Sequence, residues 1–133
     1  QQGASASPAR MPPALQAFAA QGVTRLLRDP GALACALGEV LSEPKRGVWF
    51  DSPDVPPDPS GAGLRLDRRS RMLYDNTHVY LNGESFRAGG RDATLMRRLA
   101  DRRRLGVREQ VALSAEARAL VADWLDAGWL VVE

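Results

Sequence analysis

The chain holds one histidine, His78, and one cysteine, Cys35, so the side chains best suited to site chemistry come singly. An iron site of two histidines and a carboxylate cannot be assembled from one imidazole. A zinc site from Cys35, His78 and carboxylates has no supporting spacing, because those two residues fall in different predicted units. A histidine-activated nucleophile would need Ser70 or Ser85 beside His78. His78 alternates with Tyr80 in a strand pattern, however, which predicts a solvent-facing cross-strand residue. Gly61-Ala62-Gly63 and Gly89-Gly90 lack the Lys-Ser/Thr pair that follows the glycines of a phosphate loop. No catalytic, cofactor-binding or metal-binding residue is expected here, and the chain by itself is not expected to be an enzyme.

Arginine supplies the other conspicuous chemistry. Seventeen of the eighteen basic residues are Arg, which keeps its charge at any accessible pH. Residues 1–63 carry five Lys/Arg against six Asp/Glu, and residues 64–133 carry thirteen Arg against ten Asp/Glu. Arg97-Arg98 and Arg102-Arg103-Arg104 fall along and just after a predicted helix, where positive charge suits the dipole. A DNA-reading winged helix would want a basic recognition helix and a basic wing. Glu84 at a hairpin tip and Glu109 in a short helix weaken both. Nucleic-acid binding is therefore expected to be absent, or weak and driven by salt-sensitive backbone contacts.

The elements that would position these groups are legible from periodicity and punctuation. Pro12-Pro13 precede a helical pattern of Leu15, Phe18, Ala19, Val23, Leu26 and Leu27. Asp29 can cap a second helix with Pro30 in its first turn; there Leu33, Ala36, Leu37, Val40 and Leu41 form one stripe, and Pro44 closes it. Residues 52–63 are rich in Pro, Gly and Asp and read as a linker. Beyond it, Leu64–Asp67 and Arg71–Tyr74 look like strands. His78–Leu81 and Glu84–Phe86 form a hairpin with Asn82-Gly83 in a primed turn. Asp92 is the expected cap of the next helix, Val107–Val111 a short one, and Ser114 the cap of the last. Gly128 stops that helix before a strand at Trp129–Val132.

The fold class is thus α+β: an N-terminal helical hairpin, a Pro-rich linker and a C-terminal winged-helix domain. The expected division is residues 1–50 as a helical dimerisation segment, 51–63 as the Pro/Gly-rich linker and 64–133 as the winged helix. Two short helices cannot bury both of their apolar stripes alone. Either they pack on each other and on the second half, or a partner copy covers them. The second case makes Leu15, Phe18, Leu26, Leu27, Leu33, Leu37, Val40 and Leu41 a dimer interface and the protein a homodimer. A lone cysteine excludes an internal disulfide and points to a reducing, cytoplasmic home. No apolar run spans a bilayer and no signal peptide is evident, so no membrane partner is expected. Gln1 to Arg10 has the composition of an interior linker, which suggests a piece of a longer protein.

The order of several motifs adds a family resemblance. Val79-Tyr80-Leu81-Asn82-Gly83-Glu84, preceded by Leu73-Tyr74-Asp75, resembles the C-terminal region of bacterial JmjC/cupin-type ribosomal oxygenases, the ribosomal-protein arginine hydroxylases. Asp29-Pro30, Val48-Trp49-Phe50 and the ending Leu125 to Glu133 match in the same order. The resemblance implies a parent with a catalytic cupin domain, dimerising helices and a winged helix. Such parents use Fe(II) and 2-oxoglutarate to hydroxylate a side chain of a large-subunit ribosomal protein, in bacteria one resembling an arginine. The family's iron ligands lie in the cupin domain, and no position here matches them. The expected role is a non-catalytic one, supporting dimerisation and substrate presentation. The alternative is an independent winged-helix module that binds nucleic acid or a protein partner.

Overall fold

A computed structural model describes residues 29–133. The chain divides into two compact units, residues 1–34 and 35–133. The first predicted helix, with Leu15, Phe18, Leu26 and Leu27, lies outside the described residues.

The first described helix, α1, runs Pro30–Ser42. Asp29 Oδ1 accepts from the N–H groups of Gly31 and Ala32 at 3.0 and 3.1 Å, which satisfies donors that a helix start leaves open. Residues 43–63 contain turns but no helix or strand.

Six strands follow: β1 (Leu64–Leu66), β2 (Met72–Tyr74), β3 (His78–Leu81), β4 (Glu84–Arg87), β5 (Arg104–Leu105) and β6 (Leu130–Val132). They form two antiparallel sheets, one in the order β2-β3-β4 and one in the order β5-β1-β6. Leu64 and Leu66 are buried and Arg65 between them is exposed, the alternation expected of a half-covered strand. Leu81 pairs with Glu84, so the β3–β4 loop is Asn82-Gly83 alone. Their φ angles of 50° and 92° are those of the primed turn that Asn-Gly favours.

Three helices complete the domain: α2 (Gly90–Arg102), α3 (Val107–Val111) and α4 (Ala115–Asp126). Ser114 caps α4 as expected, accepting from the Ala117 N–H at 3.2 Å. Asp92 does not cap α2, whose N-cap is Gly89. Its carboxylate instead accepts from Ser114 N and Oγ at 2.9 and 2.5 Å, tying the start of α2 to the start of α4. Glu109 Oε1 reaches back to the Gly106 N–H at 3.2 Å and fixes the entry to α3. At the end of α4, Gly128 takes φ 79° while Trp129 N–H bonds Trp124 O and Gly128 N–H bonds Leu125 O, a Schellman closure.

One core joins both sheets. Leu64, Leu66, Val79, Leu81, Met96, Leu99, Leu105, Val121, Trp124, Leu125 and Leu130 are all buried in it. Trp124 from α4 meets the edge of Phe86 from β4 at 5.2 Å between centroids, so the last helix also touches the hairpin.

The hairpin therefore does not serve as the wing of the helix-turn-helix α3–α4. It pairs with β2, whereas α4 leads through Gly128 into β6 of the other sheet. Strand β5, which the sequence reading missed, lies inside the arginine run and pairs Leu105 with Leu64. The arginines there do structural work. Arg98 pairs with Glu109 at 3.1 Å and Arg104 with Glu133 at 2.7 Å. Arg103 donates to the carbonyls of Asp67 and Ser70, both at 2.9 Å.

Candidate functional site

The site with the clearest departure from ordinary packing is α1. An amphipathic helix normally buries its large apolar face. Here the buried positions of α1 are Gly38 and Ser42. The large apolar residues point outward, with Leu37 at 55%, Val40 at 61% and Leu41 at 56% exposure. Leu33, one turn before Leu37, is 43% exposed. Spacing marks this stripe for burial, and among the described residues nothing covers it.

The inner face of α1 is polar and small for a specific reason. The Tyr80 ring stands directly against Gly38, and a β-carbon there would overlap the ring. One helical turn on, Ser42 Oγ donates to the Glu39 carbonyl at 3.1 Å and accepts from the Gly83 N–H at 3.0 Å. Glu39 Oε1 accepts from Ser85 Oγ at 3.1 Å and from Cys35 Sγ at 3.3 Å. The hairpin turn is held from its other side as well. Asn82 Oδ1 accepts from Arg71 N–H at 2.9 Å, and Asn82 Nδ2 donates to Ser70 Oγ at 3.2 Å. The helix is thus mounted on the hairpin by shape and hydrogen bonds, with its apolar side outward.

Tyr80, the prop under Gly38, is itself anchored. Its hydroxyl donates to Asp75 Oδ2 at 2.5 Å, while Asp75 Oδ1 accepts from the N–H groups of Thr77 and His78, each at 2.8 Å. The Tyr80 hydroxyl is the main cause holding the Asp75 carboxyl well below the usual carboxylate range. Burial, then the Asp75 carboxylate, raises the Tyr80 phenol above its ordinary value. A carboxylate depressed in the folded state adds stability above its unfolded pKa of about 3.9, and that contribution is lost as pH falls toward the folded value. Tyr80→Phe removes the largest cause of the depression. The wild-type advantage over Tyr80→Phe should be complete above about pH 4 and narrow progressively at lower pH. Urea unfolding across that range checks this; a constant gap would refute it.

The candidate residues of simpler chemistry stay apart. His78 is half-buried, with Nδ1 at 2.8 Å from Thr77 Oγ1 and Nε2 accepting from Arg87 Nε at 3.4 Å. Ser85 bonds to Glu39, and Ser70 Oγ donates to the Trp129 carbonyl at 2.8 Å, so neither serine is hydrogen-bonded to His78. Among the described residues no group of three His, Cys, Asp or Glu side chains is placed to hold a metal ion. An iron centre does not fit these side chains. No helix among them is long and apolar enough to cross a membrane.

A helix-turn-helix, α3–α4, backed by the antiparallel sheet β5-β1-β6 defines a winged-helix domain. The model of the ROXA-like winged helix family matches residues 25–131, and the chain belongs to that family. Among solved structures, an X-ray structure of YcfD from Escherichia coli is similar with TM-score 0.71 and 20% identity, over 99% of this chain and 38% of that one. A structure of YcfD described as a ribosomal oxygenase from Escherichia coli gives 0.70 and 20%, over 99% and 39%. The same protein in complex with cobalt and 2-oxoglutarate gives 0.67 and 20%, over 99% and 39%. At that identity the likeness shows a shared fold, and this chain spans about two-fifths of those chains' length. No curated protein matches it.

Proposed function

We propose that this chain is the non-catalytic C-terminal part of a 2-oxoglutarate- and Fe(II)-dependent ribosomal-protein hydroxylase, and that α1 pairs two copies of it. The observation that carries the pairing is the inverted helix: Gly38 and Ser42 face the protein, while Leu37, Val40 and Leu41 face out. Burying one Leu side chain is worth about 1.5–3 kcal/mol. A two-fold contact uses each residue twice, enough to offset much of the entropy of association. Phe18, Leu15, Leu26 and Leu27 would extend the same interface. The parent activity is supported by family membership and by likeness to a protein described as a ribosomal oxygenase and solved with cobalt and 2-oxoglutarate. Iron and 2-oxoglutarate would be held by a cupin part outside this chain. Pairing would then set two catalytic parts in fixed relation and help present a large-subunit ribosomal protein, in the cytoplasm.

Sedimentation of the 133-residue chain tests the pairing. A dimer is expected at micromolar concentration. Leu37→Glu should weaken it at least about tenfold with an unchanged circular dichroism spectrum, since the residue is already exposed in the monomer. A wild-type chain that stays monomeric at high micromolar concentration would sink the proposal.

A further inference from the structure

We infer that the concavity between residues 45–48 and 68–71 binds single-stranded nucleic acid, with a phosphate among its cations and a base stacked on Trp49. It is lined by Lys45, Val48, Arg68, Arg69, Ser70 and Arg71 and encloses about 300 Å³. That is room for about ten waters, ample for a phosphodiester and part of its shell.

The charges around it are unevenly spent. Arg69 is matched, by Asp67 at 2.8 Å and Asp51 at 3.6 Å. Arg71 donates to the neutral Glu43 carbonyl at 3.2 Å, which positions the guanidinium without cancelling its charge. Among the described residues Lys45 and Arg68 form no ion pair. Both are exposed. Arg69 first, and Arg68 with it, hold the Asp67 carboxyl below its ordinary value, but the lining itself carries four cations and no acid. This is the local concentration of positive charge that a phosphate backbone requires.

Trp49 supplies the second half of the recognition. The residue is 76% exposed, the most of any large apolar residue among those described. Its backbone is nevertheless held. Arg69 donates to the Trp49 carbonyl at 3.0 Å. The next residue, Phe50, turns inward, edge-on to Trp129 at 6.4 Å and under the Arg69 guanidinium at 5.4 Å. Arg69 thus sets the Trp49 backbone beside the lining cations, while the indole stays in solvent. A flat aromatic held in solvent beside unspent cations is the combination that reads an unstacked strand: rings take bases and cations take phosphates. A duplex keeps its bases stacked on one another and offers the indole nothing. This surface is neither the hairpin tip nor α3, where the sequence led one to look for nucleic-acid contacts and found acids.

Fluorescence anisotropy with the whole chain tests this, using a labelled oligouridine of about ten nucleotides, its oligothymidine counterpart and a duplex. Binding to single strands in the micromolar range is expected. About three phosphate contacts predict a log–log salt slope of about −2. Trp49→Ala should weaken binding about fivefold or more, and Trp49→Phe should restore most of the loss. Lys45→Glu combined with Arg68→Glu should weaken it at least about tenfold, with the circular dichroism spectrum unchanged. Preference for uridine over thymidine oligomers would identify RNA as the ligand, and equal affinity would identify a strand of either sugar. The inference is overturned if neither single strand binds at high micromolar concentration. It is equally overturned if the duplex binds as well as the single strands and Trp49→Ala changes nothing.

Discussion

Replacing Trp124 by alanine should remove a large part of the stability of the winged-helix unit. The indole is 2% exposed and stands where α4, the core and the hairpin meet. Trp→Ala in a core costs about 3–5 kcal/mol, because the transfer term and the cavity left behind add. A domain of this size has about 5–15 kcal/mol in total. The loss should be seen as a large fall in the urea midpoint, with Phe86 left without its edge contact. Trp124→Phe separates ring burial from size. It keeps an aromatic body and removes an indole N–H that has no protein acceptor. Its cost should be well under half that of alanine. A midpoint for Trp124→Ala close to wild type would show that α4 is held by its other contacts alone.

The second large effect should come from adding one carbon atom, at Gly38. Alanine is the better helix former by about 1 kcal/mol, so propensity alone predicts stabilisation. The new β-carbon would overlap the Tyr80 ring, however, and that ring cannot retreat. It is 2% exposed, and its hydroxyl is tied to Asp75. Overpacking of this kind costs about 1–3 kcal/mol. The contacts that depend on the same approach, Ser42 to Gly83 and Glu39 to Ser85, would loosen with it. Gly38→Ala should therefore release α1 from the hairpin while residues 64–133 stay folded. Hydrogen exchange resolves this: amides of α1 should lose protection, and those of α2 and α4 should keep it. Unchanged protection in α1 would mean that the ring moves aside at little cost.

Sequence punctuation located most elements because caps and turns are local chemistry. Asp29, Asn82-Gly83, Ser114 and Gly128 act on backbone groups within a few residues of themselves, so their types and order were enough. Strand β5 was not legible: two residues give no period, and Arg104-Leu105 sits in a run that reads as a helix end. Asp92 was misplaced because a carboxylate before a helical pattern looks like its own cap, whereas its partner Ser114 is distant in sequence. The stripe on α1 was legible, but not the direction it faces. Direction depends on Tyr80 and Gly83, which come near only in the folded chain. The basic concavity was hidden for the same reason, its two halves lying on separate segments.

The sheet β5-β1-β6 has a consequence for how the domain reaches its structure. Its middle strand, Leu64–Leu66, is early in the chain, and its neighbour Leu130–Val132 is nearly the last segment. Pairing them closes a loop that encompasses the hairpin and all three later helices. Contacts of such long sequence separation set the pace of folding, because chain entropy is surrendered before they form. Until β6 arrives, β1 can be paired on one side only, through Leu105 of β5, and its other edge stays open. The domain therefore completes its core only when the two ends of this loop meet, rather than growing element by element.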